Sequence, residues 1–262
     1  MDKRTLLDRA ARDGEERIFL AHVLDKYEQA QNRNMPTHTG FLSPAEQRAA
    51  EELLHYAAIH TGYAFDGGCA EAERKMLFFL PEWQETPDTA EAICALRCRF
   101  HESYTLSHRD FLGSLMGMSV MREKLGDILL SDHAADILTA ADIAHYLLEQ
   151  WESVGRAHIS IERIDLAEVS VPPKTVRELR DTVAALRLDA VAAVGFSTSR
   201  AKASELIASG RVQKNYRETV KPDAPVAEGD VISARGLGKF ELAEVGRQTK
   251  KGRTAIVLRR YV

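Results

Sequence analysis

The chain has 262 residues, 45% hydrophobic and 28% charged, with three cysteines and a formal net charge of −4. That is the make-up of an ordinary soluble protein of one to three domains. It lacks the ~20-residue apolar run of a membrane helix and any metal-type pairing of Cys69, Cys94 and Cys98.

Residues 3–30 read as one helix, with Leu6, Leu7, Ala10, Ile18, Phe19, Ala21, Val23 and Leu24 recurring near helical spacing. NRNMPTHTG is a breaker-rich loop. In FLSPAEQ, Ser43 is a good N-cap, Pro44 takes the first helical position and Glu46 completes a capping box. That helix is expected to run to about His60 and end at Thr61-Gly62, within an N-terminal helical region of residues 1–72.

From Lys75 the period changes. MLFFLP suits a buried strand, and AICALRCRF alternates, with Cys94, Leu96, Cys98 and Phe100 on one face and Arg97 and Arg99 on the other. LSHRDFLGSLMGMSVMREKLG is a helix opened by Ser107 and Asp110 and closed around Gly126. GDILL and ADIL are short strands, Thr139 and Asp142 cap a helix through about Trp151, and HISIERI is a last strand. This order predicts an α+β domain of ferredoxin-like or RRM-like type over 73–170. VSVPPKTVRELRDT supplies a linker at 171–181, followed by a domain at 182–262.

In that last domain, Leu188, Val191, Ala192 and Val194 form a first helical stripe, stopped by Gly195. Ser197 or Thr198 caps a second helix with Ala203, Leu206 and Ile207 inward, and Gly210 ends it in the left-handed position. RVQKN, ETVK, DVISA, KFELAEV and TAIVLRRYV read as strands, the last two joined through KKGR as a hairpin. The net charge also divides: residues 182–262 hold 15 Lys and Arg against 8 Asp and Glu, net +7, and residues 1–181 hold 20 against 31, net −11. A basic module of this kind suits a polyanion.

Arg187-Leu188-Asp189 is a triplet also found in pseudouridine synthases, where the Asp attacks the base. Only about 75 residues follow Asp189 here, too few for that catalytic domain, and the residues around the triplet fit another pattern. R-L-D, G-F-S-T-S-R-A-K-A, I-A-S-G-R-V, K-N and E-G-D-V-I resemble, in order and spacing, the S4 (αL-type) RNA-binding domain, with Tyr216 where many members have Gly. Asp189 then reads as a structural acid in a first helical turn.

The resemblance implies RNA binding by Arg187, Thr198, Ser199, Arg200, Lys202, Arg211, Lys214, Asn215, Arg217, Lys221 and Lys239. Guanidinium forks grip phosphate bidentately, Lys supplies a mobile charge, and hydroxyls and helix N-terminal amides assist. Arg200 and Lys202 stand about 200° apart on a helical wheel, so one groove does not receive both. Arg235, Lys239, Arg247, Lys250, Lys251 and Arg253 form a second basic set, in which Lys250 and Lys251 are more simply solvated. A possible second RNA surface holds Arg97 and Arg99, on the open side of the middle sheet, and His108 and Arg109 at a helix start.

The stretches TGFLSPAEQ and LSHRDFLGSLMGMSVMREKLGDILL, with the α+β domain around them and the basic module, resemble the YlmH family over nearly the whole chain. That resemblance implies a bacterial, cytoplasmic, non-enzymatic factor. It would bind the large ribosomal subunit (rRNA and peptidyl-tRNA) in ribosome-associated quality control while alanine tails are added to stalled chains. The implied partners are RNA, the large subunit and quality-control factors, with no membrane, no cofactor and no metal, and a monomeric state is expected. The alternatives are an RNA-modifying enzyme targeted by the S4 module and a cell-division-linked interaction protein.

Other motifs reduce to structure. His108-Arg109-Asp110 resembles a kinase catalytic triplet but lacks the following Asn and a glycine-rich loop. Cys94 and Cys98 share a face with Leu96 and Phe100 and read as buried hydrophobes. The methionines of residues 116–121 read as core, and Gly113 and Gly117 as sites of close helix packing.

Overall fold

The computed structural model describes residues 2–173, 176–250 and 252–261. The chain divides into two compact units, residues 1–172 and 173–262.

The first unit opens with α1 (Lys3–Ala10) and α2 (Gly14–Arg33), two helices where one was expected. Asp13 causes the break: its carboxylate accepts from the Glu16 N–H at 2.8 Å, while Glu16 accepts from the Arg12 N–H at 2.8 Å. This local cap competes with continuing the helix. β1 (Thr37–Leu42) occupies residues expected to be loop. α3 (Pro44–Tyr56) begins with the expected capping box of Ser43 and Glu46 and stops short of His60, at a left-handed Ala58. β2 (Tyr63–Asp66) and β3 (Lys75–Phe79) complete an antiparallel sheet of order β1-β3-β2. MLFFLP therefore belongs to the middle of this sheet and not to the domain that follows.

After the short α4 (Thr89–Ala92) come β4 (Ile93–Phe100), α5 (His108–Gly117), β5 (Leu125–Leu130), β6 (Ala134–Ala140), α6 (Ala141–Gln150), β7 (Ser153–Val154) and β8 (Ala157–Ile164). Their antiparallel order β5-β6-β4-β8-β7, with helices after β4 and β6, is that of a ferredoxin-like split βαβ unit. Cys94, Leu96, Cys98 and Phe100 pack under the helices with Phe111, Leu115, Leu147 and Trp151, each large buried side chain contributing about 2 kcal/mol. Burial pushes the Cys94 and Cys98 thiols up, as inert apolar residues require.

The other face of the sheet is not open along its length. Phe41, Met76 and Phe78 of the first sheet, with Leu80 just beyond it, cover Ile93, Ala95 and Leu138. The approach is close enough that a Cβ on Gly126 would lie 2.7 Å from the Phe41 ring. Arg74 stitches the two sheets, donating to the carbonyls of Phe41 at 2.7 Å and Leu125 at 2.9 Å. Burial, then repulsion from Arg122, lowers its pKa to about 10.

Three expectations fail around α5 and α6. Met116 and Met121 are 46% and 57% exposed, while Met118 does pack on the core, and Gly113 and Gly117 face open space, because α5 ends at Gly117 and turns its Phe111–Leu115 edge inward. Thr139 does not cap α6: it is a buried strand residue whose hydroxyl has no hydrogen-bond partner among the described residues, and Asp142 pairs with Lys124 instead.

The second unit holds β9 (Val176–Val183), α7 (Leu188–Gly195), α8 (Arg200–Ala208), β10 (Val212–Lys214), β11 (Arg217–Glu218), β12 (Val231–Ala234), β13 (Gly238–Gln248) and β14 (Thr254–Tyr261). Its antiparallel sheet runs β11-β10-β12-β13-β14-β9. Residues 176–181 were expected in a linker. They form the edge strand β9, paired with β14 from Val176↔Tyr261 to Val183↔Thr254. Their charges belong to the exposed edge, while Leu179 and Val183 pack on the core.

The two helices lie on that core through Leu188, Val191, Ala192, Ala203, Leu206 and Ile207. Gly195 serves packing more than helix termination. A Cβ there would sit 2.2 Å from the fully buried Phe240 ring.

Candidate nucleic-acid interface

The start of α7 is fixed from outside the helix. The N–H groups of Leu188 and Asp189 donate to the carbonyls of Ala224 and Pro222, each at 2.9 Å. Asp189 is thereby 4% exposed, and its carboxylate becomes the hub of a cluster. Oδ1 accepts from Arg187 Nε at 3.2 Å and from the Ala190 N–H at 2.9 Å. Oδ2 accepts from Arg187 Nη2 at 3.3 Å and from Arg200 Nε at 2.9 Å. Burial alone would raise the Asp189 pKa, but the bonds from Arg187 and Arg200 outweigh it and hold the carboxyl below its ordinary range. The two arginine side chains remain 42% and 54% exposed.

Between the helices Ser197 is left-handed, with φ 53°. The expected cap is shifted. Neither Ser197 nor Thr198 caps α8; Ser199 does, accepting from the Lys202 N–H at 3.2 Å, while the Thr198 N–H closes on the Ala193 carbonyl. Lys202 turns to Glu205 at 2.9 Å, away from Arg200. Gly210 ends the second helical segment in the expected left-handed state, φ 72°.

Beyond it, Arg211 is exposed, its side chain donating to Ser209 Oγ at 3.3 Å, and Lys221 is exposed. Lys214 differs: its ammonium donates to the Pro225 carbonyl at 2.6 Å and pairs with Asp230 at 2.9 Å, leaving the side chain 24% exposed. Asn215 braces the same acid, its Nδ2 donating to Asp230 Oδ1 at 2.6 Å and its Oδ1 accepting from the Val231 N–H at 2.9 Å. Lys214 and Asn215 thus hold the turn together.

Asn215 and Tyr216 have φ 53° and 64° between the paired Lys214 and Arg217, the geometry of a two-residue primed hairpin turn. Tyr216 thus takes a left-handed conformation that favours glycine. Arg217 is half-buried, and Lys239 sits with its Nζ 4.9 Å from the Tyr261 ring centroid.

In the second basic set, Arg235, Arg247 and Lys250 are exposed, Arg253 binds Thr182 of β9, and Lys251 lies outside the described residues. One residue escaped the sequence reading. Arg260 donates to Ser197 Oγ at 3.2 Å and to the Leu237 carbonyl at 3.3 Å, bracing the α7–α8 turn. Its signal was the period-two alternation that puts it on the face of Ile256 and Leu258.

The second surface is changed by its partners. Arg97 grips the buried Asp136 with two bonds of 2.7 Å and the Glu168 carbonyl at 2.9 Å, and Arg99 pairs with Glu162. The uncovered part of that sheet therefore presents matched charges. His108 and Arg109 are exposed at the start of α5, where Asp110 accepts from both the N–H and hydroxyl of Ser107 at 2.7 Å. Among the described residues no cluster of His, Cys, Asp or Glu could hold a metal, and no helix is long and apolar enough to cross a membrane.

Residues 95–168, the ferredoxin-like unit, match the family model described as "Putative RNA-binding domain in YlmH". The chain is 34% identical over 247 residues to the ribosome-associated protein quality control protein P2 of Bacillus subtilis (strain 168), covering 94% of this chain and 95% of that protein. The solved structure of the cell division protein ylmH from Streptococcus pneumoniae shares the fold with a TM-score of 0.50 at 18% identity, covering 62% of this chain and 98% of that one.

Proposed function

The chain belongs to the YlmH family, and from that premise we propose that it is a non-enzymatic RNA-binding factor of ribosome-associated quality control. It works in the cytoplasm as a monomer without a cofactor. It binds the large ribosomal subunit through rRNA and peptidyl-tRNA and supports alanine tailing of stalled chains beside other quality-control factors. The C-terminal unit is its S4-type module and principal RNA surface, and His108 and Arg109 offer a subsidiary contact.

The observation that carries this reading is the hub at Asp189, which gathers two half-exposed arginines in a part of the chain that also exposes Arg211 and Lys221 and has net charge +7. Guanidinium and ammonium groups with little aromatic stacking suit phosphates of folded RNA better than sequence-read single strands.

The test replaces Arg211 and Lys221 together by Glu, since both are exposed and neither holds an ion pair among the described residues. RNA affinity is expected to fall about tenfold or more at low salt, with the salt slope reduced by about 1 for each lost phosphate contact, and the melting temperature unchanged. In cells, the wild-type chain is expected to sediment with large subunits and crosslink to rRNA and tRNA. Unchanged affinity in the folded double variant, or a chain that stays at the top of the gradient with no enriched RNA, overturns the reading.

A further inference from the structure

We propose that Asp189 is a positioning residue for RNA: its buried carboxylate locks the guanidinium groups of Arg187 and Arg200 into one preformed fork that receives a backbone phosphate. The inference rests on the reading of the C-terminal unit as the RNA surface.

Two guanidinium cations repel, and free arginine side chains on a surface sample many rotamers. Here they converge on a single carboxylate that is almost wholly buried. Each is bound along one edge, Arg187 through Nε and Nη2 and Arg200 through Nε, with its Nη2 also 2.9 Å from Oδ2. The Nη1 group of each has no hydrogen-bond partner among the described residues. One carboxylate against two guanidinium groups leaves a net positive charge at the outer edge. The bound conformation exists before RNA arrives, so little side-chain freedom is lost on binding. Arg187 comes from the residue before α7 and Arg200 from the first residue of α8. The hub therefore also sets the distance between the two helix starts.

The position makes a test by sign possible. Asp189→Asn keeps the shape but removes a negative charge, so simple electrostatics predicts tighter RNA binding. A positioning role predicts binding about tenfold weaker, the scale of one lost charge-assisted contact. The measurement is fluorescence anisotropy of a labelled RNA hairpin titrated with the full chain, well below each variant's melting temperature. It is made for wild type, Asp189→Asn, the double variant Arg187→Ala with Arg200→Ala, and all three changes together.

The fork predicts that Asp189→Asn weakens binding alone and adds no further loss once the arginines are gone. If the arginine double variant loses affinity while Asp189→Asn binds as tightly as wild type or tighter, the positioning role is overturned and the RNA surface stands. If the arginine double variant itself binds normally, the surface reading falls and takes the fork with it. Should Asp189→Asn prove too unstable to assay, Arg200→Lys keeps every charge but not the edge-on guanidinium contact. It is expected to show the same loss, and unchanged affinity there overturns the proposal.

Discussion

Lys214, expected from its position among basic residues to be a free phosphate ligand, is instead tied to Asp230 and the Pro225 carbonyl. Lys214→Glu should therefore cost about 2 kcal/mol of stability by setting a second carboxylate beside a mostly buried one. The urea midpoint of the full chain reads this directly, and an unchanged midpoint would remove the structural role. A second prediction concerns pH. The carboxyl of Asp189 is held below its ordinary range in the folded state, so its stabilisation is fully present above the unfolded value of about 3.9 and is lost as pH falls through the lower folded value. The stability gap between wild type and Asp189→Asn should narrow on acidification below about pH 4; a constant gap would contradict the linkage. At this scale the sequence disclosed two caps, Ser43 with Glu46 and Ser107 with Asp110, because each pair lies three residues apart; the same spacing misled at Thr139 and Asp142, and the cap of α8 fell to Ser199. It did not disclose which cations were already engaged. Arg97 meets Asp136 across 39 residues of chain, and Lys214 meets Asp230 only because β10 and β12 are paired.

Among the elements, α7 owes its seat to a glycine. Gly195→Ala would gain up to about 1 kcal/mol of helix propensity but drive a Cβ to 2.2 Å from the ring of Phe240, which is fully buried. Overpacking of this sort costs about 1–3 kcal/mol, so a net loss near 1–2 kcal/mol is expected in urea denaturation, and a more stable variant would show that the ring can yield. Elements with strong periodicity were legible, among them the strands and helices of the ferredoxin-like unit and the two helices of the last unit. Those that were missed have physical causes. Asp13 divides an otherwise continuous apolar stripe between α1 and α2. β1 is masked by breaker residues and stabilised by its partner β3. β9 is charged at most positions because it lies on an edge, and charge at an edge carries no apolar signal.

For the whole molecule, the net charge of +7 over residues 182–262, against −11 over the rest, and the chemistry of the Asp189 hub point the same way. The resemblance to the YlmH family was legible across both units, while the cover that β1 and β3 lay over the ferredoxin-like sheet was not, since it depends on how two sheets meet. The pairing of β9 with β14 carries a practical lesson for anyone dividing the protein into fragments. A cut at Thr182, where composition invites it, strips the neighbour from an eight-residue strand and leaves its backbone donors and acceptors as a template for another copy. A fragment beginning at Thr182 should self-associate with rising concentration in analytical ultracentrifugation, and one that retains Val176 onward should stay monomeric. Oligomerisation measured on the shorter piece would then report the missing strand and say nothing about the intact protein.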